Sequence, residues 1–138
     1  MKRILPALLA VALVSTIVVS SFAASDSKVI AYYFHGTMRC PTCHKLEQYS
    51  KEAIETNFRD ALATGKLEFK VINVEDKGNE HFVEEYQLYT KAFVLSLQKD
   101  GKEIRSTNLD KIWEYIGNKQ KFIDYVKAEV NGFLKEAQ

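Results

Sequence analysis

The chain has 138 residues, with 19 Lys and Arg against 18 Asp and Glu, a formal net charge of +1, and 46% hydrophobic residues. That length holds one compact domain and excludes two ordinary ones. The charges are scattered along the body, which excludes a basic stripe for nucleic acid and an acidic disordered tail.

Lys2 and Arg3 precede an uncharged, mostly apolar run over residues 4–19, and Ser21-Phe22-Ala23 places small residues at −3 and −1 of a cleavage point before Ala24. This is the pattern of a secretory signal peptide. The uncharged stretch runs on to Ser25, long enough to cross a bilayer, so an uncleaved N-terminal membrane anchor also fits the hydropathy. Residues 1–23 are read as the signal or anchor, with cleavage preferred, and residues 24–138 as the domain. Either route makes the domain extracytoplasmic, periplasmic or secreted, where disulfides form and persist.

Val29-Ile30-Ala31-Tyr32-Tyr33-Phe34 is almost continuously apolar and rich in β-formers, which predicts a strand buried on both faces. Beyond the cysteines, Leu46, Tyr49, Ala53, Ile54, Phe58, Ala61 and Leu62 recur at spacings of three and four, while Lys45, Glu47, Lys51, Glu52 and Glu55 fall elsewhere. One long amphipathic helix ending near Gly65 is predicted. Residues 67–74 read as a second strand, completing a βαβ unit, and residues 79–86 as a shorter helix. Residues 92–97 form a third strand leading into Lys99-Asp100-Gly101, a hairpin signal, and residues 103–107 its partner. Leu109, Ile112, Trp113 and Ile116, then Phe122, Ile123, Val126, Val130, Phe133 and Leu134 after Gly117-Asn118, predict a terminal helix over the sheet. The order β-α-β-α-β-β-α predicts an α/β domain with a four-stranded mixed sheet flanked by helices.

The two cysteines, Cys40 and Cys43, lie between the first strand and the long helix in the run Cys40-Pro41-Thr42-Cys43. A thiolate at a helix start is favoured by the partial positive charge and free N–H groups there. Pro41 suits the first helical turn, where a missing N–H costs nothing. A purely structural disulfide is the weaker reading, because so short a loop constrains little of the unfolded chain. His44 extends the run to C-x-x-C-H, the pattern of covalent haem attachment, but the motif opens a helix already used by a complete α/β domain. Met38, Cys40, Cys43 and His44 form a soft-donor set that suits Cu(I) or zinc, and a non-enzymatic metal-binding or redox-sensing module is the alternative use of the same cysteines. Arg39 stands beside Cys40, where a folded-back guanidinium stabilises a thiolate, and a protonated His44 does so modestly. Gly36 reads as a sharp turn, His81 as a surface residue, and Tyr32, Tyr33, Tyr86, Tyr89 and Trp113 as core and core-edge aromatics.

A strand, a C-x-x-C loop, a long helix and this element order resemble the thioredoxin superfamily over residues 29–134. The resemblance implies a thioredoxin-like fold and a thiol-disulfide oxidoreductase in which Cys40 attacks and Cys43 resolves, with Pro41 and Thr42 tuning the potential. It implies no cofactor beyond the redox-active Cys40–Cys43 disulfide. It also implies, as partners, exported cysteine-containing proteins or small thiols and a redox partner that resets the pair. Nucleic acid is not among them, and a membrane enters only through an uncleaved N-terminal segment. The chain departs from the family at two points. Its only prolines are Pro6 and Pro41, so the cis-proline usual before the third strand is replaced by Ala92 or Phe93 at the substrate groove. The buried acid usual in the first strand has no counterpart.

Overall fold

A computed structural model describes residues 26–138; the signal or anchor read into residues 1–23 lies outside the described residues. Along the chain the elements are β1 (Ser27–His35), α1 (Pro41–Asn57), α2 (Arg59–Ala63), β2 (Leu67–Asn73) and α3 (His81–Glu85). There follow β3 (Ala92–Lys99), β4 (Lys102–Asn108), α4 (Ile112–Tyr115) and α5 (Lys119–Glu136). The strands form one sheet in the order β2-β1-β3-β4. β2 runs parallel to β1, β3 runs antiparallel to β1, and β4 runs antiparallel to β3.

The continuous apolar run of β1 is explained by its central place, since alternate residues enter two different cores. Val29, Ala31 and Tyr33 face the larger core with Phe93, Leu95 and Leu97 of β3, under Leu46 and Ile54 of α1 and Phe122, Val126 and Val130 of α5. Ile30, Tyr32 and Phe34 face the smaller core with Ala92 and Val94, covered by Phe82 of α3, Tyr86 and Leu88. Asp100 and Gly101 both take positive φ, 51° and 77°, the geometry of a type I′ turn, which matches the twist of the β3-β4 hairpin.

The single helix predicted up to Gly65 is two helices. Phe58 leaves helical geometry at φ −129° and ψ 34°, and its side chain is buried in the larger core. Docking that ring outweighs one more turn of regular helix. The terminal helix is likewise divided at Gly117-Asn118, where the Asn118 side chain accepts the Lys121 N–H at 3.0 Å and caps α5. Among the described residues no helix is long and apolar enough to cross a membrane.

Candidate functional site

β1 ends at His35, and the chain passes through Gly36, Thr37, Met38 and Arg39 before α1 begins. This puts the cysteines at the carboxyl end of the central strand. Cys40 is the N-cap of α1, with extended φ −93° and ψ 165°, and Pro41 opens the helix. The Cys40 Sγ accepts the Cys43 N–H at 3.2 Å, so the sulfur occupies the position that a capping oxygen holds in other helices. Cys40 and Cys43 are joined as a disulfide with a Cα–Cα separation of 5.0 Å. Their exposures differ: Cys40 lies at the surface, while Cys43 is 1% exposed. One sulfur is presented to a partner and the other is shielded.

Beneath the first turn, Tyr33 of β1 is fully buried and donates its O–H to the Cys43 carbonyl at 2.9 Å. Burial pushes its phenol up to about 12, partly opposed by the positive charge of Arg39. The Arg39 guanidinium is engaged by a carboxylate of α1. Its Nη2 donates to Glu47 Oε2, one turn beyond Cys43 on α1, and its Nε is buried without a hydrogen-bond partner among the described residues.

The loop before Cys40 is held from the loop after β2. The Thr37 N–H donates to Glu75 Oε2 at 2.8 Å, and Asn73 Nδ2 donates to Thr37 Oγ1 at 3.2 Å. Hydrogen bonding by Thr37 holds the Glu75 carboxyl below its ordinary range. Gly36 leaves room for the Glu75 carboxylate, since a Cβ there would lie 2.8 Å from Glu75 Oε1 and would make that side chain shift. A cleft of about 180 Å³ opens beside this loop between Phe34, His35, Glu75, Leu88, Tyr89 and Lys91.

Pro41, Thr42 and His44 are at the surface of the first helical turn with Cys40. Met38 is 84% exposed. Ala92 and Phe93, placed at the groove by sequence, are 4% and 0% exposed as the first residues of β3. They face the two cores because the strand starts at Ala92, so the residues standing before it are Tyr89, Thr90 and Lys91. The Lys91 carbonyl accepts the Trp113 indole N–H at 3.1 Å, and no peptide bond among the described residues is cis. Tyr89, read as a core aromatic, is 94% exposed, because it sits on a loop with no element above it. Among the described residues no group of three or more His, Cys, Asp or Glu side chains is placed to hold a metal.

Sequence reasoning left Tyr33, Glu47 and Glu75 out of the site. Glu47 carried a signal, since i and i+4 share a helix face and it is four residues after Cys43. Tyr33 and Glu75 carried none, because their partners lie ten and 38 residues away in sequence.

No protein-family model matches the chain, and no curated protein matches it. Solved structures similar to it include the germline-specific thioredoxin Deadhead of Drosophila melanogaster, at 23% identity over 59% of this chain and 69% of that one, with a TM-score of 0.40. A thioredoxin of Entamoeba histolytica has 20% identity over 73% and 81%, with a TM-score of 0.41. One of Fasciola hepatica has 24% identity over 65% and 79%, with a TM-score of 0.37. The fold is read from the chain's own topology: a β2-β1-β3-β4 sheet covered by helices on both faces, with a Cys-x-x-Cys disulfide opening the helix after the first strand, is the thioredoxin-like fold.

Proposed function

We propose that the protein is an exported thiol-disulfide oxidoreductase working through Cys40 and Cys43. The observation that carries this is the asymmetry of the pair. An exposed N-cap sulfur already receives a backbone N–H, and a buried sulfur one turn inside is within bonding reach of it. In the reducing direction the Cys40 thiolate attacks a client disulfide and one client sulfur leaves as thiolate. Cys43, deprotonated, then attacks Cys40 Sγ, the second client thiolate leaves, and two electrons have passed to the client. The same steps in reverse donate a disulfide. The helix N-terminus stabilises the thiolate in both directions.

Export is supported by the charged, apolar and small-residue pattern of residues 1–24. The partners are exported cysteine-containing proteins or small thiols, together with a redox partner that resets the pair, and no dissociable cofactor takes part. The buried first residues of β3 and the narrow cleft favour a small substrate or one specific client over a broad clientele.

Equilibration in glutathione buffers, read by thiol alkylation and mass, is expected to give a two-electron titration of the Cys40/Cys43 pair. Insulin reduction is expected to disappear in Cys40→Ser. Cysteines that stay masked until a chelator is added, or activity that survives Cys40→Ser, would overturn the reading.

A further inference from the structure

We infer that Glu47 is the proton acceptor for Cys43 in the resolving step, with Arg39 as the residue that positions its carboxylate. The inference rests on the disulfide-exchange reading and adds to it the group that makes the second cysteine reactive.

Once Cys40 is tied to a client, Cys43 must lose its proton before it can attack, and its position, 1% exposed in the disulfide form, gives bulk water little access to take that proton. β1 offers no carboxylate beneath it. Tyr33, the titratable group there, keeps its own proton to about pH 12 and donates it to the Cys43 carbonyl. The carboxylate that the fold does supply is on α1 itself. Residues i and i+4 are neighbours about 5–6 Å apart at Cβ, and a helical side chain leans back over the turn before its own Cα. Glu47 therefore lies over the turn that contains Cys43.

Its ion pair fixes that direction. Arg39 precedes Cys40, so a Glu47 carboxylate that reaches Arg39 has turned toward the dithiol and away from the following helical turn. Both side chains are only partly exposed, 21% and 28%, which strengthens the pair relative to one in open water. The contact is one-pointed. Arg39 Nη2 engages Oε2, while Oε1 accepts no hydrogen bond among the described residues, leaving one oxygen to take a proton.

Among the described residues Arg39 is the ion-pair partner of Glu47. On α1, His44 and Lys51 lie one turn away on either side, and Lys51 pairs with Glu55 at 3.9 Å. From α5, Lys119 pairs with Glu52 at 2.8 Å and stands over the Tyr49 ring. Tyr33 faces the turn from β1. In the step, the Cys43 thiol proton passes to Glu47 Oε1 and the Cys43 sulfur bonds to Cys40 Sγ. The Cys40–client bond breaks, and the departing client thiolate recovers the proton from Glu47.

The test is a single turnover of the reduced protein with oxidised glutathione, acid-quenched and resolved by mass. In Glu47→Gln the glutathione adduct at Cys40 is expected to accumulate, with resolution slowed at least about tenfold at pH 6. The deficit is expected to shrink toward pH 9, above the ordinary thiol pKa of about 8.5, where the thiolate is populated without a base in the protein. Glu47→Asp, which keeps a carboxylate, is expected to recover most of the rate. The first attack, isolated in Cys43→Ser, is expected to change far less with Glu47→Gln than resolution does. Resolution by Glu47→Gln at the wild-type rate at pH 6, or a deficit equal at pH 6 and pH 9, would overturn the assignment. A wild-type protein inert to oxidised glutathione would overturn the exchange reading and the assignment with it.

Discussion

Tyr33 joins β1 and α1 through a single O–H, and its ionisation gives that link a pH dependence with a definite sign. The folded protein holds the phenol at about 12 against an ordinary value of 10. Between those values the unfolded chain releases a proton that the native state keeps, so stability falls as pH rises. The contribution is complete below pH 10 and is lost as pH climbs through 12. Tyr125, pushed up to about 12 by burial, adds to the same window. In thermal unfolding followed by circular dichroism, wild type is expected to weaken more steeply than Tyr33→Phe between pH 9 and pH 12. At pH 7 Tyr33→Phe is expected to be less stable by about 0.5–1.5 kcal/mol, the net worth of one hydrogen bond. Equal slopes for the two proteins would show that Tyr33 does not titrate with unfolding. Burial of Tyr33 was legible in the sequence from its place in an apolar strand. Its hydrogen bond was not, because the partner carbonyl belongs to another element whose height over the sheet is set by packing.

At the scale of elements, two loops meet beside the turn that carries the cysteines. Glu75 belongs to the loop after β2 and receives Thr37 of the loop after β1, while Gly36 leaves room for the same carboxyl. A methyl in Gly36→Ala meets Glu75 Oε1, so the carboxyl must swing away and release the Thr37 N–H. Gly36→Ala is therefore expected to lower the thermal midpoint in the wild-type background and to cost distinctly less when Glu75 is already Ala. Such non-additivity is the signature of neighbours sharing one contact. Additive losses would place the role of Gly36 in backbone freedom instead. The sequence carried the turn at Gly36 but not the acid that explains it, because Glu75 follows an ordinary strand and shows no pattern of its own. The same limit accounts for α1 and α2. Periodicity placed Phe58 on the buried face correctly, yet a spacing of three or four continues through a bend that only rotates the chain. Where the signal was strictly local, as in the Pro41 start of α1 and the Asp100-Gly101 turn, element and cause were both legible.

Across the whole molecule, α1 and α5 lie side by side on one face of the sheet and share the larger core, so the stability of the domain and the cysteine pair at the start of α1 depend on one layer. Phe122 of α5 is fully buried and meets Tyr49 of α1 edge-on at 5.6 Å between ring centroids. Truncation to Ala removes this contact and leaves a cavity, at a cost of about 3–5 kcal/mol. That is a large share of the roughly 5–15 kcal/mol that holds a typical domain folded. A lower urea midpoint with an unchanged slope is expected for Phe122→Ala. The reduction potential responds differently, because it measures the difference between the oxidised and reduced forms, and a loss common to both cancels. The disulfide closes only the first turn of α1, and Phe122 packs two turns further along, against Tyr49. The potential of Phe122→Ala is therefore expected to stay well within about 30 mV of wild type, equivalent to less than about 1.4 kcal/mol between redox states. A larger shift, measured in the same glutathione titration, would show that the α1–α5 contact changes when the disulfide opens, and that the core takes part in setting the potential.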